Sequence, residues 1–239
     1  MQFKVFNNEI LTPHKCGTTY LEKVFPNDIL MADYRINHLS FLNNKMYDMK
    51  TISTIIIREP LEHLQSALHT EIFSWYLSNP SESLSIDIVT PLIKNFINTD
   101  DNQYGTTHWD INYYEYLYKF WKGNRDLIKI VQISNLTSFL KERYNIDIPH
   151  DKFSYGIPAQ GENFKYSSIT KQELSKWIET NLPELWYEVI KELPKADKFY
   201  NLMINGEISE MYELEEQIPE LEEWGKKFWK ITAIKKSLI

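Results

Sequence analysis

One hexapeptide constrains the fold of this chain more than any other segment. Ile52-Ser53-Thr54-Ile55-Ile56-Ile57 is β-branched everywhere except Ser53 and carries no charge. That is the composition of a strand buried on both faces rather than one with a wet side. It gives way at once to Arg58-Glu59-Pro60, where a proline suits the first position of a helix. Leu61, Leu64, Leu68, Ile72 and Trp75 follow at helical spacing and define that helix's apolar face. A doubly buried strand feeding a helix is the unit from which a parallel sheet covered on two sides is built.

The same alternation recurs elsewhere. Glu9-Ile10-Leu11-Thr12 reads as a first strand stopped by Pro13, and Tyr20, Leu21, Val24 and Phe25 mark a helix from Thr18 that Pro26 ends. Ile128–Ile133 reads as a third strand. Helices are expected at Ile111–Trp121, Leu136–Tyr144 and Lys171–Ile178, and again beyond Pro183. Ser78–Asp110 and Phe153–Ser168 hold the loop signals, and Met211 to Phe228 marks an amphipathic C-terminal helix at about residues 207–230. No linker divides the chain, so the expectation is a single α/β domain over residues 1–239, with a parallel β-sheet flanked by helices.

Composition narrows the function. Hydrophobic residues make up 43% of the chain, enough for a sizeable core, and the net charge of −7 argues against a nucleic-acid partner. Cys16 is the single cysteine, which excludes an intrachain disulfide or a cysteine-based zinc cluster. No apolar run approaches a membrane span, and Met1-Gln2-Phe3-Lys4 does not lead into a signal-peptide core. The expectation is a soluble, cytoplasmic protein without a membrane partner.

Two patches carry chemistry. Thr12-Pro13-His14-Lys15-Cys16-Gly17-Thr18-Thr19 joins the first strand to the first helix. A turn of this kind aims backbone N–H groups and a helix N-terminus at one spot, which suits a phosphate. Gly17 lets the backbone come close, Thr18 and Thr19 bring hydroxyl donors, and Lys15 brings a mobile positive charge. The order is not that of a Walker A loop, since lysine here precedes the glycine. The alternative is an ordinary turn whose threonines cap the helix. The second patch is Arg58, at the carboxyl end of its strand where open α/β sheets bind ligands, with Ser66 two turns into the helix. An arginine fork engages phosphate oxygens bidentately, so Arg58 and Ser66 are expected to meet a second anion. The alternatives are an ion pair of Arg58 with Glu59 or Glu62, and a solvated Ser66.

The first patch resembles the 5′-phosphosulfate loop of the sulfotransferases, Lys-x-Gly-Thr-Thr or Ser. Arg58-Glu59-Pro60 with Ser66 resembles their 3′-phosphate motif, Arg-Asp-Pro followed by serine. Glu59 stands where the family usually has Asp, and His63 where many members carry Arg. The resemblance implies a P-loop-like, sulfotransferase-type fold and 3′-phosphoadenosine 5′-phosphosulfate as donor, without a metal. It implies that Lys15, Cys16, Gly17, Thr18, Thr19, Arg58 and Ser66 hold the nucleotide, with Lys165 added from a late loop. The acceptor it implies is the hydroxyl of a small molecule or carbohydrate; a monomer or a homodimer is expected.

In-line sulfuryl transfer needs a charge that follows the leaving oxygen and a group that takes the acceptor's proton. Lys15 suits the first task. For the second, a histidine titrates in the useful range, and the choice falls on His38. Its setting, Asn37-His38-Leu39-Ser40-Phe41, resembles the Gly-His-x-x-Phe/Tyr segment of several carbohydrate sulfotransferases, with Asn37 in place of Gly. His108, Glu71 and Glu22 are the reserves, and a hydrogen-bonded structural histidine is the alternative. Cys16, at a helix N-terminus, is expected to have a lowered pKa and to alkylate readily, without serving as nucleophile. Trp109, Tyr113, Tyr114, Tyr116, Tyr118 and Trp121 either stack an acceptor or, as the spacing of Ile111, Tyr114, Leu117 and Trp121 indicates, pack a core. Two other readings compete: a nucleotide-binding protein without turnover, and a nucleotide kinase or NTPase, which lacks its Walker A order here.

Overall fold

The computed structural model describes residues 2–5, 8–12, 15–17, 20–21, 24–25, 29–31, 52–97, 113–148 and 169–205. Within them, β1 (Gln2–Val5), β2 (Asn8–Leu11), β3 (Ile29–Met31), β4 (Ile52–Ile57) and β5 (Lys129–Gln132) form one sheet in the order β3-β1-β2-β4-β5. β2, β4 and β5 are parallel, with Leu11 opposite Ile55 and Ile57 opposite Gln132. β1 is antiparallel to both neighbours, pairing Gln2 with Leu11 on one side and with Met31 on the other. The sheet is therefore mixed, and the expected all-parallel arrangement is corrected to three parallel strands with an antiparallel edge. Gln2-Phe3-Lys4-Val5 does alternate polar and apolar residues as a half-buried strand should, but four residues give that period little weight.

Among the described residues, the α-helices with both ends described are α1 (Pro60–Ser78), α2 (Ile86–Ile97), α3 (Tyr113–Lys122), α4 (Leu136–Tyr144), α5 (Lys171–Asn181), α6 (Pro183–Ile190) and α7 (Leu193–Asn205), and residues 20–21 and 24 are also helical. Ile55, Ile56 and Ile57 are each fully buried, and they alternate between two cores. Ile55 and Ile57 join Leu64, Leu68 and Ile72 of α1, Tyr114 and Leu117 of α3, and Phe199 and Met203 of α7. Ile56 and Ile10 face the other way, onto Tyr20, Leu21 and Phe25 and onto Leu136, Phe139 and Leu140 of α4. Both faces of β4 are dry, which is why the hexapeptide shows no alternation. The protein is an α/β structure with helices on both sides of its sheet.

Pro60 opens α1, and Glu59 caps it by accepting from the N–H of Leu61 at 3.1 Å and of Glu62 at 2.7 Å. His63, not Leu61, takes the inward place in the first turn: His63 is 3% exposed and Leu61 37%. α2 lies in the segment expected to be loop. Its buried residues Val89, Ile93 and Phe96 have helical spacing, and Pro91 inside the helix sits on the exposed side. α7, absent from the sequence reading, packs against α3 through Tyr118 and Phe199, whose rings are 5.5 Å apart. No described helix is long and apolar enough to cross a membrane. The expected helix at about residues 207–230 lies outside the described residues.

Candidate functional site

The carboxyl ends of β2, β4 and β5 share one edge of the sheet, and the chain leaving each of them meets the others there. After β2, Lys15 has φ +60° and Gly17 φ +90°. The left-handed conformation costs a residue with a Cβ about 1–2 kcal/mol. Glycine is favoured at position 17 twice over: a Cβ there would also lie 3.0 Å from Leu136 Cδ2, at the start of α4. Lys15 is not exempt, and neighbouring side chains hold it in place. Arg58 Nη1, from the end of β4, donates to the Lys15 carbonyl at 2.7 Å, and the buried Thr12 hydroxyl donates to the Cys16 carbonyl at 2.7 Å.

These two bonds orient the turn. In a trans peptide the N–H points opposite to the C=O, so tying back the carbonyls of Lys15 and Cys16 directs the N–H groups of Cys16 and Gly17 to the other side. Neither N–H has a backbone acceptor among the described residues. The Gly17 carbonyl then accepts from Leu21 N–H at 3.0 Å, and the Leu21 carbonyl from Phe25 N–H at 2.8 Å, both bonds of helical spacing. Successive N–H groups in a left-handed turn at a helix start make an anion-binding concavity.

Arg58 is itself braced. Tyr114 of α3 donates its hydroxyl hydrogen to the Arg58 carbonyl at 2.7 Å, and His63 Nδ1 lies 3.0 Å from the same Tyr114 oxygen. With its hydrogen committed, that oxygen accepts from His63, so Nδ1 carries the proton. His63 thus orients the core side of the site and does not face a ligand. Arg58 Nε is 3.4 Å from Glu62 Oε2 but outside hydrogen-bonding alignment, and it makes no hydrogen bond although buried. Lys171, at the start of α5, lies 3.7 Å from the same Glu62 oxygen. Arg58 therefore joins the turn to Glu62, a carboxylate that it shares with Lys171.

The electrostatics follow from burial. Lys15 is brought down to about 8 by desolvation, with Glu71 opposing and Arg58 reinforcing. Burial also lowers Lys171, helped by Arg58 and opposed by Glu62. Cys16 is fully buried, and burial pushes its thiol up to about 12 despite the charge and backbone N–H of Arg58. The expected reactive thiolate is corrected: the side chain is buried in the protein, and desolvation outweighs the groups that favour the thiolate.

Of the residues proposed from sequence, Lys15, Cys16, Gly17 and Arg58 come together at this edge. Ser66, half-buried on α1, lies one turn beyond Glu62. Thr18, Thr19, His38, Lys165 and the reserves His108 and Glu22 lie outside the described residues. Glu71 acts electrostatically in support of the Lys15 charge. Tyr113, Tyr114, Tyr118 and Trp121 are buried in the α1/α3/α7 core and present no stacking surface. Sequence reasoning missed Lys171 and passed over His69; the capping pattern Thr170-x-x-Glu173 was the available signal for where α5 begins. No group of three His, Cys, Asp or Glu suited to a metal ion occurs among the described residues. A cavity of about 430 Å³ lined by Ser53, Arg125, Lys129 and Arg143 opens at the amino ends of β4 and β5, away from this site. Comparison with protein-family models, with curated proteins and with solved structures finds no match to this chain.

Proposed function

We propose that the protein is a sulfotransferase, binding 3′-phosphoadenosine 5′-phosphosulfate at the turn 15–17 and passing its sulfuryl group to a hydroxyl acceptor without a metal. The observation that carries this reading is the bond from Arg58 Nη1 to the Lys15 carbonyl, which makes the two anion-binding patches one site at the carboxyl edge of parallel strands. The N–H groups of Cys16 and Gly17 suit the 5′-phosphate, with Lys15 following the leaving oxygen. Glu59 already occupies the N–H groups that begin α1. A 3′-phosphate therefore depends on side chains, and Arg58, Ser66 and Lys171 are the groups available.

One observation favours a second reading, a nucleotide-binding protein without turnover. Arg58 is partly engaged within the protein, by the Lys15 carbonyl and by Glu62, as a structural arginine would be. Calorimetric titration with 3′-phosphoadenosine 5′-phosphate and with ATP, each with and without magnesium, tests both against a kinase. Sulfuryl transfer requires preference for the bisphosphate with no magnesium dependence, together with donor turnover; preference for ATP with magnesium would overturn it.

A further inference from the structure

Glu62, Ser66, His69 and Phe73 lie on one stripe of α1, at i, i+4, i+7 and i+11. The chain entering α5 runs back along this stripe. Lys171 lies by Glu62, and the Ile169 carbonyl is 3.0 Å from His69 Nε2. The His69 ring also rests on Phe73, with centroids 4.4 Å apart. A carbonyl can only accept, so Nε2 carries the hydrogen and the neutral ring keeps its lone pair on Nδ1. Nδ1 has no hydrogen-bond partner among the described residues, and the side chain is half-buried rather than sealed. The charged groups acting on the ring are Lys15 from the turn and Lys171 from α5.

We propose that His69 is the base of the transfer, its Nδ1 taking the proton of the acceptor hydroxyl beside Lys15. The proposal rests on the sulfuryl-transfer reading and replaces His38 in this role. The hydroxyl oxygen forms its bond to sulfur as the bond from sulfur to the bridging phosphate oxygen breaks. The hydroxyl proton passes to Nδ1, and the bridging oxygen departs with the electron pair toward the Lys15 ammonium. Ile169 keeps the ring turned and accepts from Nε2 throughout, so the imidazolium that forms already has a partner. Burial lowers the proton affinity of His69, the Ile169 bond opposes this, and Lys15 and Lys171 lower it further, so the resting ring is neutral near pH 7.

The test compares wild type with His69→Gln, whose amide preserves an N–H donor toward Ile169 but supplies no base. Three readouts are taken on both proteins: a melting curve, calorimetric binding of 3′-phosphoadenosine 5′-phosphate, and the pH profile of donor hydrolysis, with water standing in for the acceptor. Expected are unchanged melting and nucleotide affinity, a roughly 10²–10⁴-fold slower hydrolysis, and loss of the acidic limb of the wild-type profile. In wild type, the His69 resonance followed by NMR should titrate at higher pH once the bisphosphate binds, because a neighbouring anion favours imidazolium. A variant with the wild-type rate and acidic limb overturns the role of His69 and leaves the nucleotide site standing. A His69 resonance unmoved by the nucleotide overturns it whatever the hydrolysis rate. A wild-type chain that fails to bind the bisphosphate overturns the underlying reading, and this inference with it.

Discussion

The guanidinium of Arg58 reaches 43 positions back along the chain to donate to the main-chain carbonyl of Lys15 at 2.7 Å. Two patches that look separate in the sequence are thereby one mechanical unit. Arg58 sets the direction of a peptide plane, and the N–H on the far side of that plane is the group a phosphate would use. Tyr114 fixes the Arg58 carbonyl in turn, so the core packing of α3 is transmitted to the turn.

Arg58→Lys tests this coupling, because lysine keeps the charge but not the fork. The variant should lose about 1–3 kcal/mol of stability through the bond to Lys15. It should also bind 3′-phosphoadenosine 5′-phosphate at least roughly tenfold more weakly, as about 1.4 kcal/mol would produce. Urea denaturation and calorimetry measure the two effects. Unchanged stability with weakened binding would mean that Arg58 serves the ligand alone; no change in either would remove it from the site.

Gly17→Ala should be destabilising by about 1–3 kcal/mol, through the left-handed backbone and through overpacking. The two causes separate in a double variant. The new Cβ would sit 3.0 Å from Leu136 Cδ2, so in a Leu136→Ala background the steric part vanishes and the backbone part stays. A double-variant cycle from urea midpoints should therefore show favourable coupling between the two substitutions. Strict additivity would mean that the clash is relieved by some other shift.

The parts of the site legible in the sequence are those set by local chemistry. β4 coincides with the β-branched run, Pro60 and Glu59 open α1, and Gly17 marks the turn because its positive φ and the nearby Leu136 both disfavour a side chain there. What was illegible depends on distant partners. The inward place of His63 is settled by Tyr114, 51 positions away, and the orientation of His69 by Ile169, 100 positions away. Neither pairing leaves a periodicity on either segment. α2 was hidden for a different reason: Asn79-Pro80 does end α1, but Pro91 signals a further break that burial of Val89, Ile93 and Phe96 overrides. Cys16 was misjudged because a helix N-terminus is readable from sequence while complete burial is not.

Lys15 makes the site sensitive to pH. Its ammonium is brought down from 10.5 to about 8, so the folded protein loses this charge as pH rises through about 8. A bound phosphate favours the charged form, and affinity for the bisphosphate should be full below that pH and fall above it. Stability moves the other way. Between about 8 and 10.5 the unfolded chain binds the proton that the folded chain has lost, so stability rises with pH across that window and the penalty is complete below it. Lys15→Met should bind more weakly at neutral pH and show neither trend. Under the proposed transfer its donor turnover should fall further than its affinity, because the ammonium would then act on the leaving oxygen. Calorimetry and urea melts over the same pH series check affinity and stability, a donor-hydrolysis assay checks turnover, and a pH trend that survives in Lys15→Met would reassign it.

Cys16 provides a chemical probe of the turn. Its thiol is fully buried and pushed up to about 12, so at a pH of about 8 roughly one molecule in 10⁴ carries thiolate even before access is considered. Alkylation of the native protein should therefore require opening, and its rate should rise with urea along the same slope as global unfolding. The bisphosphate should slow the reaction by the factor through which it stabilises the folded state, which its own dissociation constant fixes independently. Two outcomes would count against this account. A rate in native buffer close to that of the unfolded chain would place the thiol at the surface. A rate independent of urea below the transition, yet still slowed by the bisphosphate, would mean that the turn opens locally and that the Arg58 and Thr12 bonds do not bind it to the rest of the fold.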